Sequence, residues 1–223
     1  GGAVSSFFDI EMVEVVKGPQ GTLFGRNASS GAISITTAKP TGEFGGSIDI
    51  GLGQDGYGEA TAVVNIPLSD QFSGRLAVYH QHQDGWVTNI NDGQQAGSVE
   101  NTAYRLTLAF ENEDVASTLV LEREKRRGPP TLYQAFDPDE TGLPFYNTDA
   151  AENQFASDVS SAALKDQGKV KGATLNVDVD LGNDYTLSST TGLRGHKYNY
   201  LEDFDGSTSF LSNYNQIQEQ DYL

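Results

Sequence analysis

The chain has 223 residues with a hydrophobic fraction of 37%, 25 glycines, no cysteine and a formal net charge of -17. So acidic a surface opposes nucleic-acid binding, which needs Lys and Arg to neutralise phosphates, and the lack of cysteine removes disulfides, thiolate nucleophiles and Cys-based zinc sites. No apolar run approaches the roughly 20 residues of a spanning helix, yet membrane β-strands need only about 9 to 11 residues and expose apolar groups at every second position.

In chain order, the first legible feature is VEVVKGPQGTLFGRNASSGAISITTAKP, residues 13–40. Two short β-prone runs, Val13 to Val16 and Ala32 to Thr37, flank a bend carrying Gly18, Pro19, Gly21, Gly25 and Gly31. Glycine at such spacing permits positive φ and close backbone approach. A phosphate-cradling loop is disfavoured, because G-x-x-x-x-G-K-[ST] is absent and no helical pattern follows.

From Gly46 onward the sequence alternates with period two, the pattern of strands with one apolar and one polar face. Seven strands are expected near 46–53, 57–67, 72–84, 102–111, 115–124, 171–181 and 185–197, with an eighth starting at Gln216. In the sixth, Ala173, Leu175, Val177, Val179 and Leu181 share one face, while Thr174, Asn176, Asp178 and Asp180 share the other. In the fourth, Tyr104, Leu106, Leu108 and Phe110 oppose Arg105, Thr107, Ala109 and Glu111. In the second, Ala60, Ala62, Val64, Ile66 and Leu68 oppose Glu59, Thr61 and Asn65.

Connection lengths alternate as well. Tight turns rich in Asn, Asp, Gly and Ser join strands at 69–71, 112–114 and 182–184, whereas the segments 85–101, 125–170 and 198–215 are long. A structureless connection like 125–170 argues against a compact soluble domain. In membrane barrels short turns are periplasmic and long loops extracellular, so strand one runs outward from the periplasm and all three tight turns fall on one side.

The block VEVVKGPQGTLFGRNASSGAISITT, continuing into AKP and then amphipathic strands, closely resembles the C-terminal part of the plug domain of TonB-dependent outer-membrane receptors. The resemblance implies a bacterial outer-membrane location and an all-β fold: a transmembrane antiparallel barrel of 22 strands with an internal plug, of which about seven strands are present here. Residues 1–43 are then the C-terminal part of the plug and 44–223 the first barrel strands. The missing signal peptide, TonB box, first half of the plug and C-terminal strand imply a fragment of a longer chain, since seven strands leave two unpaired edges. The implied function is active uptake of a scarce ligand, such as a ferric siderophore, another metal chelate, a vitamin or an oligosaccharide, driven by the TonB complex of the inner membrane. A passive porin or a surface adhesin on a similar barrel is the alternative; a soluble all-β binding protein is the third reading.

The resemblance also makes Phe24 and Arg26, near the apical bend, candidate ligand contacts, and gives Lys17, Gly18, Pro19, Gly21, Gly25 and Gly31 a structural role. Many family members have Arg at the position of Lys17, which can pair with barrel carboxylates; Lys keeps the charge but lacks the planar fork. His80 and His82 share the lipid face with Leu76 and Val78 and fit the interfacial girdle with Trp86 better than a metal site. The DPDETG run, residues 137–142, lacks the spacing of a calcium loop, and the Asn27, Ala28, Ser29 sequon is a chance match. Lys125, Arg126 and Arg127 end strand five at its outer end, where lipopolysaccharide phosphates are possible partners alongside membrane lipid. Arg105, Glu111, Asn176, Asp178 and Asp180 face the plug or a hydrated lumen. No Ser, His and acid constellation and no paired carboxylates in a cleft point to an enzyme, a resident metal or a cofactor.

Overall fold

The computed structural model describes residues 6–24, 30–134, 154–207 and 212–222, with backbone only for 23 and 24. Within them the chain forms strands β1 (Ile10–Lys17), β2 (Gly31–Thr37), β3 (Gly45–Leu52), β4 (Gly58–Pro67), β5 (Phe72–Gln83), β6 (Val87–Asn89) and β7 (Gln95–Ala96). They are followed by β8 (Val99–Glu111), β9 (Val115–Gly128), β10 (Gln154–Phe155), β11 (Lys165–Gly182), β12 (Tyr185–Asp203) and β13 (Asn213–Tyr222). A single helical turn, α1 (Gly21–Phe24), interrupts the bend between β1 and β2.

The large sheet has eight strands in the order β13-β12-β11-β9-β8-β5-β4-β3. Every pair is antiparallel and follows chain order, which is an up-and-down meander. The expected alternation holds through the register. Leu106 lies opposite Leu76 and Leu121, and Val64 opposite Leu76, so the apolar sets of neighbouring strands fall on one outer face. Along the β3 edge Ile48, Ile50 and Leu52 are 71–84% exposed, as side chains that contact hydrocarbon are in a barrel wall.

Turn chemistry explains the three tight connections. Asn183 and Asp184 have φ of 55° and 64°, the left-handed pair a two-residue hairpin requires. Asn112 Oδ1 accepts the backbone N–H of Asp114 and Val115 at 3.0 and 2.7 Å, and Ser69 Oγ accepts those of Gln71 and Phe72. The turns also touch one another: Glu111 N–H donates to Gln71 O, and Asp180 N–H to Asp114 O. All three therefore lie along one rim of the sheet.

The opposite rim departs from expectation in extent. β9 runs on to Gly128, β11 starts at Lys165, and β12 reaches Asp203, beyond the alternating apolar stretches. Once a strand leaves hydrocarbon, no side chain needs to be apolar, while hydrogen bonding to neighbours continues; the pattern ends before the strand does. The described parts of the long connections on this rim also carry regular structure. β10, β6 and β7 form a small sheet over a core of Val87, Ala96, Phe155 and Leu164.

β1 and β2 make a separate hairpin, with Val13 opposite Ile35 and Val16 opposite Ala32. Its base is seated on the inner face of the large sheet, where Phe8 packs on Ala77 and Ala103 with Val63 and Tyr79 around it.

Candidate functional site

The inner face of the sheet holds the segment just before β1 by charge. Asp9, with φ of 52° and a side chain 3% exposed, receives Arg75 Nε on both carboxylate oxygens at 3.1 and 3.0 Å, with Nη2 on Oδ1 as well. Arg75 Nη1 donates to Asn65 Oδ1 at 3.0 Å, and the same oxygen accepts the Thr41 N–H, so one barrel pair grips the chain both entering and leaving the hairpin. One strand over, Arg105 donates from Nη1 to Phe8 O at 2.8 Å and from Nε to Glu122 at 2.9 Å, with its guanidinium 4.5 Å above the Phe8 ring. Ser6 donates through its N–H and its hydroxyl to Glu124 at 3.0 and 2.8 Å. Shielding a charge from water is tolerable when it is paired and hydrogen-bonded, as Asp9 is with Arg75 and Arg105 with Glu122.

This anchor was not legible residue by residue. Asp9 is a lone acid in an unremarkable stretch, and only the inward position of Arg105 followed from alternation. Lys17 is exposed and makes no ion pair among the described residues, so the ionic tie to the sheet runs through Asp9 instead. Gly18 and Gly31 do have positive φ, 87° and 147°, and a Cβ on Gly31 would lie 2.6 Å from Val16 O. Pro19 follows Gly18 in the bend, and Gly21 opens α1 without positive φ. Phe24 ends α1, but its side chain, like Gly25, Arg26, the 27–29 sequon and the 137–142 acidic run, lies outside the described residues.

Between Ile35 to Lys39 and the inner wall lies a cavity of about 530 Å³, lined by polar groups including Thr107, Glu122, Asn176 and Asp178. Its chemistry is that of a hydrated lumen. At the outer end of the same inner face, Tyr198 stacks on Tyr200 at 5.8 Å and Tyr214 meets Tyr200 edge-on at 6.1 Å. Arg126 turns inward beside them and pairs with Asp166 at 3.1 Å. The Lys125, Arg126, Arg127 run is therefore split between the two faces.

The outer-rim loops are bound to each other by polar contacts. Asn89, fully buried, donates to Val159 O, and the Asp92 carboxylate accepts both the N–H and the hydroxyl of Ser161. Burial pushes the Asp92 pKa upward, but these bonds with the Gln94 N–H outweigh it and hold the group below the ordinary aspartate range. Asp158, Asp203 and Asp205 come within 4.8 Å of one another, a grouping spread too far along the chain for sequence spacing to reveal. Asp203 already accepts the N–H groups of Asp158, Asp205 and Gly206, which makes the cluster a loop fastener. His80 contacts Thr102 and His82 contacts Asp84, so each outward histidine has a local partner.

No protein-family profile matches the chain. It is 26% identical over 213 residues to the catecholate siderophore receptor Fiu of Escherichia coli K12, covering 87% of this chain and 26% of that protein. It is 35% identical over 114 residues to the ferrienterobactin receptor of the same strain, covering 48% of this chain and 15% of that one. Among solved structures, the ferric yersiniabactin uptake receptor FyuA from Yersinia pestis superposes with a TM-score of 0.78 at 19% identity, over 96% of this chain and 32% of that one. The chain spans about a quarter of the length of the curated relatives it matches.

Proposed function

We propose that this chain, a relative of the TonB-dependent siderophore receptors of the bacterial outer membrane over most of its length, works within a receptor that imports a ferric siderophore with energy from the TonB complex. In this reading residues 1–43 are the C-terminal part of the plug and residues 44–223 are the first strands of the barrel. The relatives are receptors, not enzymes.

The observation that carries the reading is the charged clamp of Asp9, Arg75, Arg105 and Glu124, which fastens a separate hairpin to the inside of the wall. A barrel built for passive flow has no use for a segment held across its lumen. The Tyr198, Tyr200, Tyr214 and Arg126 group at the outer end of the inner face supplies flat π surfaces and a guanidinium, a chemistry suited to aromatic, anionic chelates. Phe24 and Arg26 remain proposed contacts at the plug bend. Membrane lipid and lipopolysaccharide are the expected surroundings of the outer face.

In the full-length gene, deleting the TonB box is expected to abolish uptake of the ferric ligand while leaving its binding intact. Undiminished uptake, or a large open conductance from the intact protein in planar bilayers, contradicts the proposal.

A further inference from the structure

The clamp of Asp9 and Arg75 has a looser counterpart near the outer end of the same inner face. We propose that Asp166 is a built-in stand-in for the ligand: its carboxylate occupies the Arg126 guanidinium, and a chelate is admitted by displacing it with anionic oxygens of its own. Resting on the uptake reading above, this makes Asp166 a specificity-determining residue, which favours chelates with exposed anionic oxygens over neutral ones of the same size.

Register brings the parts together. Residues directly opposed across neighbouring strands point to the same face. Arg126 of β9 is opposed to Asn101 of β8 on one side and to Gly168 of β11 on the other, and Gly168 in turn to Tyr198 of β12. The next inner-face row outward sets Asp166 between Gly128 and Tyr200. The two glycines leave room beside the ion pair, since a Cβ on Gly168 or on Gly128 would meet no atom within 4 Å. Arg126 and Asp166 therefore stand open on one side and are flanked on the other by the stacked rings of Tyr198 and Tyr200.

The bond itself is of a displaceable kind. Arg126 reaches Asp166 through Nη2 alone, which is shared between the two carboxylate oxygens at 3.1 and 3.2 Å. A guanidinium matches an anion best when two of its nitrogens donate in parallel, and among the described residues Nε and Nη1 of Arg126 have no acceptor. At the clamp, by contrast, Arg75 uses both Nε and Nη2 on Asp9. The Asp9 side chain is 3% exposed, against 20% for Asp166 and 37% for Arg126. Asp166 is also the second residue of β11 and pairs with the last residue of β9, where local opening costs least.

Two neighbours are ready for the exchange. Asn101 Oδ1 is buried and accepts no hydrogen bond, so a guanidinium released from Asp166 has a second acceptor directly across the sheet. The Tyr198 hydroxyl meets Asp166 as well. Burial first, and that carboxylate second, push the Tyr198 pKa up to about 12, so at neutral pH it remains a donor that a ligand oxygen can take over together with Arg126. A chelate in competition with Asp166 has its affinity lowered by the fraction of time the guanidinium is free.

The test uses the folded full-length protein in detergent and equilibrium dialysis with two radioiron probes: a trianionic hexadentate ferric tris-catecholate and a neutral hexadentate ferric tris-hydroxamate. Asp166→Asn is expected to tighten tris-catecholate binding about tenfold and to leave the neutral chelate within about twofold of wild type. Arg126→Gln should weaken the tris-catecholate by at least about tenfold, and in that background Asp166→Asn should change nothing further, because the stand-in acts through Arg126. Heat-modifiable gel mobility confirms that each variant is folded. Unchanged or weaker tris-catecholate binding in Asp166→Asn overturns the proposal. So does equal tightening of both probes, or tightening that persists without Arg126, which is the mark of long-range repulsion. Saturable binding of neither probe by any variant contradicts the uptake reading itself and takes this inference with it.

Discussion

The two faces of the β5-β8-β9-β11-β12 wall use the same cationic residue types under opposite conditions. On the inner face Arg105 is buried and Arg75 half-buried, and each donor aimed at the hairpin has an acceptor; on the outer face Arg123, Lys125, Arg127, Lys169, Lys171 and Lys197 stand exposed with at most weak partners. The difference is dictated by what each face must hold. A chain segment fastened to the wall needs a fixed geometry, which bidentate shielded pairs supply, whereas an outward surface with no segment to hold leaves its cations hydrated.

The sharpest way to break this contrast is to remove one partner inside. In the full-length protein, Asp9→Asn leaves the half-buried Arg75 without its counter-charge and should cost about 3–5 kcal/mol in denaturant unfolding of the hairpin segment, whereas the outer Lys169→Gln should stay within about 0.5 kcal/mol. Replacing both partners, Asp9→Asn/Arg75→Gln, removes the unpaired charge while keeping a residue that tolerates positive φ at position 9, and should recover much of that loss. Equal costs for Asp9→Asn and Lys169→Gln would dissolve the distinction between faces.

A second comparison sits within β11. Leu175→Arg puts charge on the hydrocarbon side and should cost about 2–4 kcal/mol in folding into bilayers, while Asn176→Arg, one residue along, faces the polar cavity and should cost well under half of that. Smaller still is Gly31→Ala, where left-handed φ and the approach to Val16 O should weaken the hairpin by about 1–3 kcal/mol, measured as faster amide exchange across β1 and β2. The smallest effect belongs to the loops. Because its folded-state pKa is depressed, Asp92 adds stability that is complete above the ordinary value of 3.8 and is lost as pH falls through the lower folded value. Amide exchange at Ser161 should therefore accelerate only in that acid range, and Asp92→Asn should remove the pH step.

What sequence could reveal follows the same line between hydrocarbon and water. Where a strand crosses the bilayer, its neighbours force strict alternation, so the faces of β4, β8 and β11 and the three tight turns were readable from residues alone. Above the bilayer that constraint lapses, which hid the outer ends of β9, β11 and β12 and the two- and three-residue strands of the loop sheet. Asp9 was hidden because a long-range partner leaves no local trace. The split of Lys125, Arg126 and Arg127 is legible in the sequence, since consecutive strand residues must face opposite ways.

Everything depends on alternate side chains of these strands meeting lipid. This chain contributes no cysteine of its own, so single substitutions from Ala173→Cys through Asp180→Cys in a cysteine-free background of the full-length protein, reconstituted in bilayers and spin-labelled, read each face separately. Labels at 173, 175, 177 and 179 should collide with oxygen and be shielded from a water-soluble nickel relaxant, and labels at 174, 176, 178 and 180 should show the reverse. A profile without the two-residue period, or with its phase inverted, contradicts the membrane-wall account.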